Sequence, residues 1–498
     1  MKILMINSNR YKIPLPVMPY GLCCVAAAVE EAGHEVNVLD LCLSKNCRRD
    51  IARTIDEFQP DIIGISIRNI DTAATHNTLF LVKQVKREVI DPIKKAFSGP
   101  IVIGGPSVGI SGAEMLSFFD LEFAIGGDGE AAMVEFIRRI EKRIPLNGMG
   151  GLIWQKNGQV IEENHPMRVT DLDALPSPDY HRYIDTPTYR KYKSPIQIQT
   201  KRGCALKCTY CTYNTIEGHH VRLRDPQRVA DEIETVVKET GINIIEFTDS
   251  TFNIPLDHAK SVLRAIIAKK LDVSFQTMGL NPGAIDEELA QLMKRANFIE
   301  FQVGVESGCN VTLRSLGKNF RKDDVLRAAK YLHAVDLPIM WWVLTGAPGE
   351  TEETLKETFE TIHQAASKGD LVVVGNGIRV YKGSPIAKRM LRENRNCTND
   401  NFFLPTAYSP KGLNLEMIRL LNKRISFKYS NFMFYDEVQR VPFFLVNLQS
   451  KLMHRFAPRV PWWKTFLFMT SLQKKLGITA LKRRLFEFKN RRLLYAVN

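Results

Sequence analysis

No apolar run in this 498-residue chain comes near the roughly 18 residues that a membrane span requires. The opening residues, MKILMINSNR, lack the long apolar core and small-residue cleavage site of a secretory signal. No segment is of low complexity, and no internal repeat stands out. Disulfide architecture is missing too. Of the nine cysteines, Cys23, Cys24, Cys42, Cys47, Cys309 and Cys397 show no ligand spacing and read as small buried hydrophobes or incidental thiols. These absences predict a cytoplasmic, folded protein, too long for one core and built from two or three domains. Acidic residues are scarce at one end. From Val438 to Asn498, Glu487 is the one acid against 13 Lys or Arg, so this stretch carries +12 of the net +14. The first 437 residues are left with about +2, so the overall charge does not mark a nucleic-acid-binding core.

The first third alternates strand and helix. Strands are expected at 2–6, 35–41, 61–67, 100–104 and 122–125, with helices at 20–32, 76–97 and from the GGDGE turn (126–130) through Lys142. Such alternation with short Gly-rich turns predicts a Rossmann-like, doubly wound parallel sheet over residues 1–148, with ligands outside the carboxyl ends of its strands. Residues 149–190, a hairpin followed by the Pro-rich LDALPSPDYHRY, read as a connector. A second series over 191–400 has strands near 196–200, 243–248, 273–278, 298–304, 338–345 and 371–380, separated by helices. Six β/α units predict a partial, TIM-like (β/α)6 barrel with its chemistry at the C-terminal strand ends. Residues 401–498 read as a basic, aromatic helical extension.

Cys204, Cys208 and Cys211 lie in RGCALKCTYC, directly after the first strand of the second series. Thiolates hold iron–sulfur clusters, and a tight loop offering three ligands to four irons leaves one iron open to a small molecule. A zinc site would want a fourth Cys or His at paired spacing; His219 and His220 are near but not at that spacing.

With Tyr210 before the third cysteine, this C-x3-C-x2-C loop resembles the radical S-adenosylmethionine (SAM) superfamily, over roughly residues 190–400. The resemblance implies a [4Fe-4S] cluster that cleaves SAM to a 5′-deoxyadenosyl radical, and a reductant such as flavodoxin or ferredoxin. It implies that Asp249 in EFTDSTFN meets the SAM amino group. Glu306 and Ser307 in QVGVESG would meet its ribose or carboxylate, and Gly346 and Pro348 in LTGAPGETEET would shape the adenine side. Singly, each of these segments could equally be a helix start.

The N-terminal series resembles the cobalamin-binding group of that superfamily. The resemblance implies contacts with cobalamin from Ser66, Arg68, Asn69 and Asp71 below the corrin. It adds Gly104, Gly105, Pro106 and Ser107 in one turn, and Gly126, Gly127, Asp128, Gly129 and Glu130 in another. The Asp-x-His-x-x-Gly signature that supplies a histidine to cobalt is absent, and His76 reads as an ordinary helix residue. The resemblance therefore points to a cobalamin-dependent methylase acting on an unactivated carbon of a small-molecule or lipid-like substrate. A cobalamin-dependent oxidoreductase or cyclase shares every motif. Methylthio transfer to tRNA would need a second cysteine-held cluster, and a non-enzymatic iron–sulfur sensor is the remaining alternative. In the tail, residues 443–448, Trp462, Trp463, Phe466, Phe468, Leu485, Phe486, Phe488 and residues 493–495 are interleaved with basic side chains. That pattern suits a helical cap packed on the barrel or a peripheral contact at the inner face of the membrane; no RNA-binding motif is present.

Overall fold

The computed structural model describes residues 1–13, 15–393, 402–438, 461 and 463–490. The N-terminal sheet contains the parallel strands β1 (Lys2–Asn7), β2 (Glu35–Asp40), β3 (Ile62–Ser66), β4 (Ile101–Gly104) and β5 (Phe123–Ile125). Their spatial order is β2-β1-β3-β4-β5, so the direction of winding reverses between β1 and β3. Ile3, Leu4, Ile6, Ile62 and Ile63 are fully buried, as expected of strands covered by helices on both faces. The hairpin expected in the connector is part of this sheet. Its strands, β6 (Leu152–Lys156) and β7 (Gln159–Glu163), extend the β5 edge antiparallel, with Phe123 stacked on Trp154.

The helix expected over 76–97 starts later. Residues 67–80 run as a loop, and helical structure begins at Leu81. The Asp71 carboxylate accepts from the Ala73 N–H (2.7 Å), and Ala73 and Asn77 have φ of 54° and 59°, which break a helix. His76 is exposed on this loop, not on a helix. Thr75 Oγ1 donates to the Asn376 carbonyl, and Tyr435 Oη donates to that of Thr72 (3.1 Å), so the loop is tied to the second domain.

The second sheet is an open, all-parallel half-barrel of seven strands. They are β8 (Ile196–Ile198), β9 (Ile244–Phe247), β10 (Ser274–Leu280), β11 (Phe298–Glu306), β12 (Met340–Thr345), β13 (Leu371–Asn376) and β14 (Phe432–Phe434), adjacent in that order. Six strands were expected; the seventh comes from the tail that reads as helical. The expected strand over 371–380 breaks at Gly377 (φ 86°), where a Cβ would lie 2.6 Å from Leu415 Cδ2. Beyond the break, Ile378–Arg379 pairs antiparallel with Ala407–Tyr408. Helices between the strands start at side-chain caps: Asp225 for Pro226–Thr240, Asp286 for Glu287–Arg295 and Thr351 for Glu352–Ala365.

In the tail, helices Trp463–Lys475 and Ile478–Lys489 are described, and residues 443–448, 462 and 493–495 lie outside the described residues, as does Cys397. Trp463 is buried and donates to Gly369 O (3.3 Å), whereas Phe468 and Leu485 are exposed. No helix among the described residues is long and apolar enough to cross a membrane.

Buried ion pairs join the two sheets. Arg379 contacts Asp71 at 2.8 Å, with side chains 4% and 0% exposed, and Tyr381 Oη donates to the same carboxylate (3.1 Å). Removing one partner of such a pair strands the other charge without solvent. Asp71→Ala is expected to cost about 3–5 kcal/mol of stability, read as a lowered urea midpoint, while Asp120→Ala, in an exposed pair with Lys94, should leave the midpoint within error.

Candidate active site

The three cysteines lie on the loop that leaves β8. At its start Gly203 has φ 95°, and a Cβ there would lie 2.0 Å from the His220 carbonyl oxygen, so the approach of these two segments requires glycine. The loop is held by its backbone. Cys204 N donates to Gly218 O (3.0 Å), Thr209 N to Leu316 O (2.9 Å), and Cys211 N to Cys208 O (3.3 Å). Cys204 is buried, and Cys208 and Cys211 are half-buried. Burial first, then the Glu306 carboxylate working against the Lys318 charge, raises Cys208, and burial takes Cys211 to about 12. Among the described residues no three His, Cys, Asp or Glu side chains converge as ligands of a single ion. A four-iron cluster takes its thiolates from wider apart, and three soft donors on a short loop fit that group. His219 and His220 are exposed and supply no fourth ligand.

Around this loop the expected SAM residues divide. Glu306, at the end of β11, lies beside it. Its Oε1 accepts from Tyr210 Oη (2.7 Å), and its Oε2 lies 2.8 Å from Lys318 Nζ. Asp249 is buried, with Oδ1 accepting from the N–H of Thr200 (2.8 Å) and of Lys201 (3.3 Å), and Oδ2 from Thr200 Oγ1 (2.6 Å). Its carboxylate holds the backbone that leads into the cysteine loop. Ser307 is buried and its hydroxyl is engaged within the protein: it meets Thr358 Oγ1 (2.7 Å) and accepts from Cys309 N (3.0 Å). Gly346 (φ 89°) forms the expected turn, its N–H donating to Glu350, and Pro348 is buried there. Burial raises Glu350 to about 7.

The residues expected to hold cobalamin gather at the carboxyl ends of β3, β4 and β5. There they line a cleft of about 600 Å³ that also takes in Gln197, Gln199, Glu246, Thr248 and Asp249 of the barrel. Ser66, Arg68, Asn69 and Gly104 to Ser107 face it, as do Gly127 to Glu130; Gly126 lies behind, donating to Gly151 O (2.8 Å). A Cβ on Gly105 (φ 98°) would lie 2.8 Å from Ile67 O, so a bare backbone forms this wall. A glycine wall at the switch point of a doubly wound sheet fits a large flat ligand with a trailing group. The acidic members are engaged within the protein. Glu130 is paired with both Arg202 terminal nitrogens (2.6 and 3.1 Å), Asp128 with Arg222, and Asp71 with Arg379.

Sequence reasoning missed Lys318, Arg202, Arg379 and the row Gln197, Glu246 and Gln276. In that row both amides donate to Glu246 at 3.3 Å. Alternation along β8, β9 and β10 could have flagged the row: these polar residues alternate with buried Ile196, Ile198, Ile245, Phe247, Phe275 and Thr277.

Three thiols on the loop leaving the first strand of an open β/α barrel, with Thr212 and Tyr213 of that loop lining a cleft shared with a second sheet, define an iron–sulfur enzyme with a separate cofactor-binding domain. The family model of the Radical SAM superfamily matches residues 198–362, and that of the B12 binding domain matches residues 9–137. The chain carries both a radical SAM domain and a B12-binding domain. It is 24% identical over 462 residues to cytidylyl-2-hydroxyethylphosphonate methyltransferase of Streptomyces wedmorensis, covering 81% of this chain and 83% of that one. It is 27% identical over 346 residues to an uncharacterised methyltransferase of Pyrococcus horikoshii, covering 69% and 72%. Its fold matches the radical SAM methyltransferase TsrM from Kitasatospora setae, solved with cobalamin and a [4Fe-4S] cluster bound. The TM-score is 0.80 at 19% identity, over 96% of this chain and 99% of that one.

Each of Cys204→Ser, Cys208→Ser and Cys211→Ser is expected to abolish cluster absorbance and iron retention after anaerobic reconstitution, whereas Cys47→Ser should keep both. Glu350 sets a pH dependence. The unfolded chain releases this proton above about 4.5 and the folded chain above about 7, so stability falls as pH rises through that window, by up to about 3 kcal/mol. Glu350→Gln keeps an acceptor for Gly346 and should flatten unfolding midpoints measured from pH 4.5 to 7.

Proposed function

We propose that this chain is a cobalamin-dependent radical SAM C-methyltransferase. The observation that carries this reading is the single cleft, lined both by the glycine-rich strand ends of the B12-type sheet and by Thr212 and Tyr213, which follow Cys211 directly. When bound, the cluster with SAM would supply a hydrogen-abstracting radical, and cobalamin would supply the methyl carbon. Cys204, Cys208 and Cys211 would hold the cluster. Asp249 would fix the approach to their loop, Gly346 and Pro348 would shape the adenine side, and the turns 104–107 and 126–130 would hold cobalamin. Tyr381, Tyr435 and Met278, also lining the cleft, would limit the access of water. Gln197, Glu246 and Gln276 give the barrel a polar wall, which supports a small substrate with hydrogen-bonding groups over a bare hydrocarbon.

The test is product analysis after anaerobic reconstitution with iron, sulfide and cobalamin. Given SAM, a low-potential reductant and a turned-over substrate, each methylated product should come with one S-adenosylhomocysteine and one 5′-deoxyadenosine. A product without the added methyl mass would transfer the reading to a cyclase or oxidoreductase. Failure to retain cobalamin would overturn it. For the tail, exposed Phe468, Leu472 and Leu485 beside basic residues support a contact with anionic lipid. Replacing these three with Ser should then abolish flotation with phosphatidylserine vesicles; unchanged flotation, or none from the parent protein, would remove that contact from the proposal.

A further inference from the structure

Lys318 is a buried cation that the roles above leave unused. It follows Gly317, whose φ is 69° and whose Cβ, were there one, would lie 2.5 Å from Lys207 O. Just before it, Leu316 O accepts from Thr209 N, between the second and third cysteines. The turn that carries Lys318 is thus bonded to the cysteine loop and cannot drift from it.

The side chain makes three polar approaches. Nζ lies 2.8 Å from Glu306 Oε2, 3.2 Å from Tyr210 Oη and 3.7 Å from Cys208 Sγ. The Tyr210 and Phe320 ring centroids are each 5.5 Å away. Exposure is 7% for the lysine side chain and 13% for that of Glu306. Paired with the Glu306 carboxylate at 2.8 Å, the group is a fixed positive charge in a poorly solvated place, where charges act over distance with little screening. Desolvating such a pair is costly, and a pair held only for stability could be replaced by apolar side chains. Here the cation instead points an N–H at a sulfur expected to be a cluster ligand. Hydrogen bonds to ligand sulfurs, local charge and solvent exposure set the potential of an iron–sulfur cluster. An N–H and a positive charge at Cys208 favour the state that carries one more electron.

We propose that Lys318 is a positioning residue that tunes the cluster: pinned by Glu306 and Tyr210 against the Cys208 sulfur, it raises the reduction potential. The proposal rests on the reading that Cys204, Cys208 and Cys211 hold a [4Fe-4S] cluster. The step it eases is the uptake of one electron by the 2+ cluster to give the 1+ cluster. The electron comes from a low-potential donor, flavodoxin or ferredoxin in class, or dithionite in the test, and no bond forms or breaks.

The experiment is an anaerobic dithionite titration of the reconstituted full chain without SAM, followed by the electron paramagnetic resonance signal of the reduced cluster. Lys318→Met should shift the midpoint to more negative potential at unchanged iron and sulfide content. Lys318→Arg should restore most of the shift. Lys318→Gln removes the charge but keeps a donor toward Glu306, so it serves if the Met variant does not hold the cluster. An unmoved or more positive midpoint in whichever variant holds the cluster overturns the proposal. So does loss of the cluster from both Met and Gln variants, which would make the lysine structural. A role confined to binding SAM would raise the SAM concentration needed for half-maximal cleavage and leave the midpoint where it was. If the parent chain takes up no iron, the cluster reading itself fails before any potential is measured.

Discussion

The two sheets work as one site because Arg202 joins them. Its guanidinium pairs with both oxygens of Glu130, in the turn after β5, and its Nε donates to Gln199 Oε1 (3.1 Å). Two residues further along the chain is Cys204. The turn expected to hold cobalamin and the loop expected to hold the cluster are therefore braced by a single planar side chain, 11% exposed and charge-matched on the N-terminal side. A guanidinium suits this task better than an ammonium would, because its fork fixes direction as well as distance. Asp128, with Arg222 against it and Arg168 at 3.7 Å, thickens the same seam.

Given that brace, the rest of the architecture follows from orientation. Both sheets are parallel along their functional strands, so each has one end where loops collect, and the seam turns those ends toward each other. The cleft between them has a bare-backbone wall on one side and a polar barrel wall on the other. Glu246 is the clearest polar feature of that second wall: burial raises its carboxyl, while the Gln197 and Gln276 amides and the Arg68 charge across the cleft act to lower it. The loop 67–80, anchored through Thr72, Thr75 and Asp71, covers one side and carries Arg68 into the opening.

Much of this was legible in the residue order. Strand–helix alternation gave both sheets to within a residue or two for most elements, since burial on both faces writes long apolar runs such as those around Ile3 and Ile63. The cysteine spacing located the loop without help from the fold. What the sequence hid were partnerships over long distances. Asp128 and Glu130 read as ligand residues because they sit in a glycine-rich strand-end turn, and Asp71 because its segment resembles the loop below a corrin, yet their partners are arginines 94 or fewer residues away for two of them and 308 away for Asp71. No local pattern signals such a pair. The hydroxyl partners of Ser307 were hidden for a related reason, since Thr358 lies 51 residues further along the chain. Lys318 was silent because its contacts with Glu306, Tyr210 and Cys208 exist only once the turn at Gly317 has brought it to them. The hairpin β6–β7 read as part of a connector because its pairing with β5 depends on an edge that only the assembled sheet presents.

The seventh strand changes what the basic tail is. β14 pairs with Val372, Val373 and Val374 of β13, the strand that would otherwise form the margin of the half-barrel. A margin of buried valines with unpaired N–H and C=O groups is a template for strand addition by another chain. Phe432–Phe434 is thus a guard strand. A chain synthesised as far as β13 displays an adhesive border, and that border is covered only when the following sixty residues, from Gly377 through Asp436, have been made and folded back. The half-barrel is for that interval a nascent-chain hazard, and the tail resolves it from within the same molecule.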